Sequence, residues 1–226
     1  MSKRAVKFNW VLEPSKFLSK EDANKLSETA KDWAEAAITK GQKTAARDYL
    51  ITDLALSTGL RVMEIAQLDC GDIFIRDGVY SLLVRNGKCG KRRLVRFGES
   101  LKEHLANYMD WKRDVGEPTG PSDPLFLSSN TGNHLTTRAL QKAFKRTAAK
   151  AGLSAHFTIH RLRHTYACQL YKASGYNLRL VQKQLGHSSI HTTEVYADVM
   201  EPDIEDALQK LYKYFHCWYG SREIVE

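Results

Sequence analysis

"LGHSSIHTTEVYADV", residues 185–199, sets a histidine nine residues ahead of a tyrosine. No apolar run around them is long enough to hide either side chain. Alone, the stretch leaves Tyr196 open between two roles. It is a packed aromatic, one of ten tyrosines, or a nucleophile with His187 placed to serve it. The rest of the chain decides between them.

Immediately upstream the charge is one-sided. Between Asp123 and Glu194 there is no acidic residue, yet the stretch holds Arg138, Lys142, Lys145, Arg146, Lys150, Arg161, Arg163, Lys172, Arg179 and Lys183. Six of the eight histidines lie there too, and acids outnumber bases after Glu194. With a net charge of +8, this distribution reads as a surface for a polyanion, nucleic acid above all.

The chain has 226 residues, ample for one hydrophobic core. No run approaches the roughly 20 apolar residues of a membrane span. "MSKRAVKFNWVLEP" has no apolar segment of the kind a signal peptide carries, so a cytoplasmic protein without membrane partners is expected. Cys70, Cys89, Cys168 and Cys217 are scattered, which fits free thiols in a reducing compartment.

Apolar spacing predicts mainly α structure with a small three-stranded antiparallel sheet, an α+β fold. Ser19 ahead of Glu21 and Asp22 opens a helix with Ala23, Leu26, Ala30 and Trp33 on one face. A second helix over about 45–57 carries Tyr49, Leu50, Leu54 and Leu56, with Gly59 as its C-cap. A third starts near Arg61. From Asp72 to Phe97, β-branched and aromatic residues with turns at Asp77-Gly78 and Asn86-Gly87 predict the three strands. "ESLKEHLANYMDWKRDV" reads as a helix and "LFLSS" as a short strand. The helix "TTRALQKAFKRTAAKAG" puts Leu140, Phe144 and Thr147 on one face. Arg138, Lys142, Lys145 and Arg146 lie largely on the other, suited to DNA phosphates or a groove. "HFTIHRLRHTYACQLYKASG" and "NLRLVQKQLGH" are further helices. A last one follows Pro202, with Ile204, Leu208, Leu211, Tyr212 and Phe215 as its stripe.

The chemistry-bearing residues are weak signals one at a time. "TGLRVMEI" places Arg61 after a glycine-capped helix with Glu64 one turn on. "GKCGKRR" puts Lys88 in a hairpin turn beside Lys91 and Arg92. "HRLRH" sets His160 and Arg163 on one helix face. His160 and His164 are spaced like zinc ligands, but the glutamate of the H-E-x-x-H pattern is missing, so no metal is expected.

Together and in order, these pieces resemble the tyrosine recombinase (phage integrase) family over about residues 17–199. The resemblance implies that Arg61, His160 and Arg163 bind a scissile phosphate and Lys88 is the general acid. It implies that His187 hydrogen-bonds the phosphate, Tyr196 is the nucleophile and Glu64 buttresses the site. Lys91 and Arg92 in the hairpin join the basic helix as expected DNA contacts. No cofactor is implied. The layout expected is an extension over 1–16, a catalytic domain over 17–200, and a C-terminal helix and tail over 201–226 that is exchanged between protomers. Only sixty residues precede Arg61, so the family's N-terminal clamp is expected to be missing, with accessory DNA-bending proteins or oligomer contacts compensating.

Elementary chemistry agrees with that allotment. Attack on a phosphodiester adds negative charge to oxygens already charged, and two forked guanidiniums are suited to hold them. A free tyrosine, with a pKa near 10, is a weak nucleophile, and nearby arginines should favour its phenolate. A covalent phosphotyrosine splits one hard step into two and stores the bond energy. The activity implied is site-specific integration, excision or inversion by a tetramer on paired DNA sites. A type IB topoisomerase-like nicking and resealing enzyme and a non-catalytic DNA-binding regulator are the alternatives.

Overall fold

The structure is a computed structural model that describes residues 17–75, 78–85, 92–197 and 208–213. The elements run α1 (Lys20–Ile38), α2 (Lys43–Thr58), α3 (Val62–Ala66), β1 (Ile73–Phe74), β2 (Ser81–Val84), β3 (Arg93–Arg96), α4 (Glu99–Asp114), α5 (Thr137–Lys150), α6 (Ile159–Ala173), α7 (Leu178–Leu185) and α8 (His191–Ala197). Mainly helical with one antiparallel sheet in the order β1-β2-β3, this is the α+β fold expected from the sequence.

Helix α2 is the centre, with α1, α4, α5 and α6 packed around it. A single apolar stripe was expected there, and the helix is instead buried nearly all round. Leu50 and Leu54 are buried as read, whereas Tyr49 and Leu56 are only half-buried. The reason is position: a helix enclosed by four others has no solvent face for its polar residues. Asp48 is therefore fully buried and takes hydrogen bonds from Arg146 Nε at 2.7 Å and Nη2 at 2.9 Å.

Helix α1 starts where read, with Ser19 accepting from the Asp22 N–H. Its buried face is built of Ala23, Leu26, Ala30, Ala34 and Ala37. Trp33 lies at the edge of that face, half-buried, with the Lys150 ammonium 4.7 Å from its ring centre. Small residues let α1 approach α2 closely, so the bulky Trp33 sits beside the seam. "LFLSS" forms no strand: Leu125 and Phe126 are buried, and Leu127 makes one isolated bridge to His134. In the sheet, Leu82 pairs with Val95, both fully buried, and Val84 pairs with Arg93. The turn residues Asp77, Asn86 and Gly87 lie outside the described residues.

A second, smaller cluster gathers Tyr166, Ala167, Cys168, Tyr171, Val181, Leu185 and Tyr196 from α6, α7 and α8. Helix α8 was not foreseen from the sequence. At seven residues it is too short to persist alone, and Tyr196 (2% exposed) and Thr193 (fully buried) anchor it. Cys70 and Cys168 are free and buried; Cys89 and Cys217 lie outside the described residues. The end of the chain is described only at 208–213, which is helical and exposes Leu208, Leu211 and Tyr212. Pro202, Ile204 and Phe215 lie outside the described residues, as does the extension over 1–16.

Candidate active site

Two left-handed glycines assemble the site. Gly59 caps α2 with φ of 61°, and its carbonyl accepts from Arg163 Nη1 at 2.6 Å. A Cβ there would stand 2.4 Å from the Tyr166 ring, so both the angle and the space demand glycine. Two residues on, Arg61 is the N-cap of α3. Gly186 caps α7 with φ of 67°, and a Cβ on it would meet the Arg93 side chain at 2.6 Å. The carbonyl just before it, on Leu185, accepts from Arg163 Nη2 at 2.9 Å. Arg163, only 3% exposed, thus ties the end of α2 to the end of α7 and keeps further N–H groups of its fork for the cleft it lines.

Glu64 is the hub of the cations, and it is 6% exposed. Its Oε2 accepts from the Arg61 backbone N–H at 2.8 Å and from Arg93 Nη2 at 3.0 Å. Its Oε1 accepts from Arg61 Nη1 at 3.0 Å and Arg93 Nη1 at 2.8 Å. Burial would raise its pKa, but the hydrogen bonds and charge of Arg93 and Arg61 outweigh burial and hold the carboxyl below its usual value. Arg163 is lowered to about 10 by burial and by Arg61, so it stays charged at neutral pH.

Arg61, His160, Arg163, His164, His187, His191, Thr192, Glu194, Val195 and Tyr196 line one open cleft of about 710 Å³. His160 stands at its exposed side, with a pKa lowered by desolvation of the ring and then by Arg163 and Arg61. His187 is pushed down to about 3 by burial, with Arg163, Arg61 and Arg93 adding to it, so its ring is neutral at pH 7. Its Nδ1 lies 3.0 Å from the Thr193 hydroxyl. If Thr193 donates there, the ring proton sits on Nε2, the tautomer that can donate into the cleft.

Tyr196 corrects two expectations. It is hidden, not exposed, because α7 and α8 fold back on α6 and enclose its ring. And its pKa is up at about 12: burial outweighs the pull of Arg163 and Arg61, so the phenol, not the phenolate, is the resting form. Its hydroxyl lies 3.1 Å from His164 Nδ1.

Of the residues read from the sequence, Arg61, Glu64, His160, Arg163, His187 and Tyr196 come together. Lys88 and Lys91 lie outside the described residues. Arg92, Arg138 and Lys142 are exposed. Lys145 donates to the Ala155 and Phe157 carbonyls, the latter at 2.7 Å, and Arg146 is engaged by Asp48. No group of metal-binding side chains occurs among the described residues. Arg93 and His164 were missed. Strand alternation held a signal for Arg93: it shares a face with the fully buried Val95, whereas Leu94 and Arg96 are exposed.

Residues 16–202 match the phage integrase family. The chain belongs to that family. Among curated relatives, the chain is 35% identical to tyrosine recombinase XerD of Staphylococcus epidermidis over 170 residues, 75% of this chain and 55% of that one. It is 32% identical to tyrosine recombinase XerC of Chlorobaculum tepidum over 208 residues, 87% of this chain and 60% of that one. Among solved structures, the XerH site-specific recombinase bound to palindromic difH substrate, a post-cleavage complex, matches with a TM-score of 0.69 at 30% identity. That match covers 85% of this chain and 52% of the other. XerA recombinase matches with a TM-score of 0.64 at 28% identity, covering 88% and 62%. The chain thus spans between half and two thirds of the length of these relatives. No described helix is long and apolar enough to cross a membrane.

Proposed function

We propose that this protein is a site-specific DNA recombinase that cuts and rejoins double-stranded DNA through a 3′-phosphotyrosine intermediate. The observation that carries this reading is the convergence of Arg61, His160, Arg163, His187 and Tyr196 on one cleft. Arg61 and Arg163 clamp the nonbridging oxygens of the scissile phosphate and take up the charge that develops on them. Arg163 is held by two backbone carbonyls and Arg61 by Glu64, so neither needs to reorganise when the phosphate arrives. Neutral His187 donates a hydrogen bond to the phosphate, and His160 contacts it at the exposed side of the cleft. Tyr196 attacks phosphorus, and the 5′ oxygen leaves with a proton from Lys88. That Tyr196 lines the same cleft as the arginines of its own chain supports attack within its own protomer.

On this reading residues 17–200 form the catalytic domain and 201–226 a segment exchanged between protomers of a tetramer on paired sites. The exposed Leu208, Leu211 and Tyr212 favour that arrangement over a monomeric nicking and resealing enzyme. The exposed Arg92, Arg138 and Lys142 contact DNA phosphates, and accessory DNA-bending proteins assist. The test is a nicked suicide duplex carrying the site. The wild-type chain should be trapped as a covalent adduct. Tyr196→Phe should bind the duplex with unchanged affinity and give no adduct; an adduct with this variant sinks the assignment.

A further inference from the structure

The proposed chemistry leaves the phenol proton of Tyr196 without a destination. At pH 7 a phenol with a pKa of about 12 is ionised to about one part in 10⁵. The arginines therefore do not by themselves deliver a nucleophile, and a base within hydrogen-bond reach is required.

The side chains facing the hydroxyl differ in fitness for that task. His187, from the turn between α7 and α8, has Nδ1 at the Thr193 hydroxyl and is a weak base at about 3. Glu194, two residues before Tyr196 on α8, is paired with His191 at 2.8 Å. Arg61 and Arg163 bear no acceptor. His164 is one turn beyond His160 on α6 and meets it edge-on, with ring centres 5.0 Å apart. It also neighbours Tyr196, whose ring centre lies 5.9 Å away and whose hydroxyl oxygen lies 3.1 Å from Nδ1. His164 also lines the cleft itself.

We propose that His164 is the general base that takes the phenol proton of Tyr196 during DNA cleavage, and the residue that holds that hydroxyl in place beforehand. The inference rests on Tyr196 being the nucleophile. On this proposal the hydroxyl donates to Nδ1 of His164 before cleavage, and the ring's own proton sits on Nε2. As the phenol oxygen bonds to phosphorus, its O–H bond breaks and the proton passes to Nδ1, giving an imidazolium. The P–O5′ bond breaks, and the leaving oxygen is protonated separately by the general acid. In rejoining, the imidazolium returns its proton to the departing phenol. Arg61 and Arg163 border the cleft and disfavour extra positive charge, and the cleft's one acid, Glu194, is paired with His191, so the imidazolium readily gives its proton back in that second step.

The test is single-turnover cleavage of the suicide duplex by His164→Asn as a function of pH. The asparagine oxygen can accept the hydroxyl's hydrogen bond but cannot take its proton. DNA binding and melting temperature should match wild type, while cleavage at pH 7 falls by roughly 10²–10⁴-fold. The rate should then climb about tenfold per pH unit toward pH 9, because solvent must ionise the phenol. A duplex with sulfur at the 5′ bridging position, a leaving group that needs no proton, should not rescue the variant. Rescue by sulfur would place the defect on the acid side and overturn the proposal. So would wild-type rates and an unchanged pH profile in His164→Asn. If that variant misfolds, His164→Gln is read by the same outcomes. An adduct formed by Tyr196→Phe would instead remove the reading on which the proposal rests.

Discussion

Removing one negative charge at Glu64 should loosen the whole cation cluster. Each carboxylate oxygen takes one bond from Arg61 and one from Arg93, four in all, at 2.8–3.0 Å. Glu64→Gln keeps one acceptor oxygen and turns the other into an amide that faces two donors. Two bonds are lost and donor is set against donor. Breaking one side of a buried ion pair costs about 3–5 kcal/mol. The Arg61 side chain is 32% exposed and Arg93 15%, so water recovers part of the loss, and the lower end, about 3 kcal/mol, is expected. At about 2–4 °C per kcal/mol for a chain of this size, the melting temperature should fall by about 6–12 °C. Because Arg61 loses its anchor, adduct formation should also fall by about 100-fold. The pH dependence has a fixed sign. The folded pKa of Glu64 lies below its ordinary 4.5, so its contribution is complete above that value and is lost as pH falls through the folded pKa. The gap in melting temperature between wild type and variant should therefore be full at pH 7 and close below pH 4.5. A variant within 1 °C of wild type at pH 7, or a gap that stays constant down to acid, refutes the hub.

Gly186→Ala should cost about 1–2 kcal/mol from the left-handed angle alone. It should also slow cleavage further by pushing Arg93 off Glu64; a variant with wild-type melting and cleavage would refute that role. Arg146→Ala should destabilise by about 3 kcal/mol in a urea melt, since it strands the fully buried Asp48. DNA affinity at fixed salt should barely change, and a large loss of affinity without loss of stability would make Arg146 a DNA contact instead. His187 is held neutral, with a folded pKa near 3, so the wild type should lose stability as pH falls from about 6.5. His187→Asn should show a flatter stability profile between pH 6.5 and 4, and an identical slope would count against its burial.

Helices α1 to α7, the three-stranded sheet, and Arg61, Glu64 and Arg163 were legible because each has a local signature. Ser19 and Gly59, for example, are set by neighbours in sequence, and the structure keeps both caps. What was not legible depends on neighbours in space. Nothing in the periodicity of α2 says that four helices surround it, so the buried Asp48 and its bond to Arg146, 98 residues away, could not be read. That same distance effect gives Arg146, still on the exposed basic face, a structural partner as well. Tyr196 shows the limit most clearly. The polar residues around it, "SSIHTTE", suggested exposure, yet the ring is enclosed by α6 and α7, which the local sequence does not reveal.

That enclosure changes how the choice between packed aromatic and nucleophile should be framed. In the proposed mechanism Tyr196 does both, and the two roles pull in opposite directions. Packing anchors α8 and fixes the hydroxyl beside His164, but it also raises the phenol's pKa and so weakens it at rest. The arginines, by contrast, are already in place: Arg163 is tied to Gly59 and Leu185, and Arg61 and Arg93 to Glu64, with no phosphate needed. The charge-stabilising half of the site is thus preorganised, while the nucleophile is restrained. On the proposed function, this arrangement would protect DNA that touches the basic surface without being seated in the cleft. Only a phosphate held by both arginines adds the electrophile that makes transfer of the phenol proton productive.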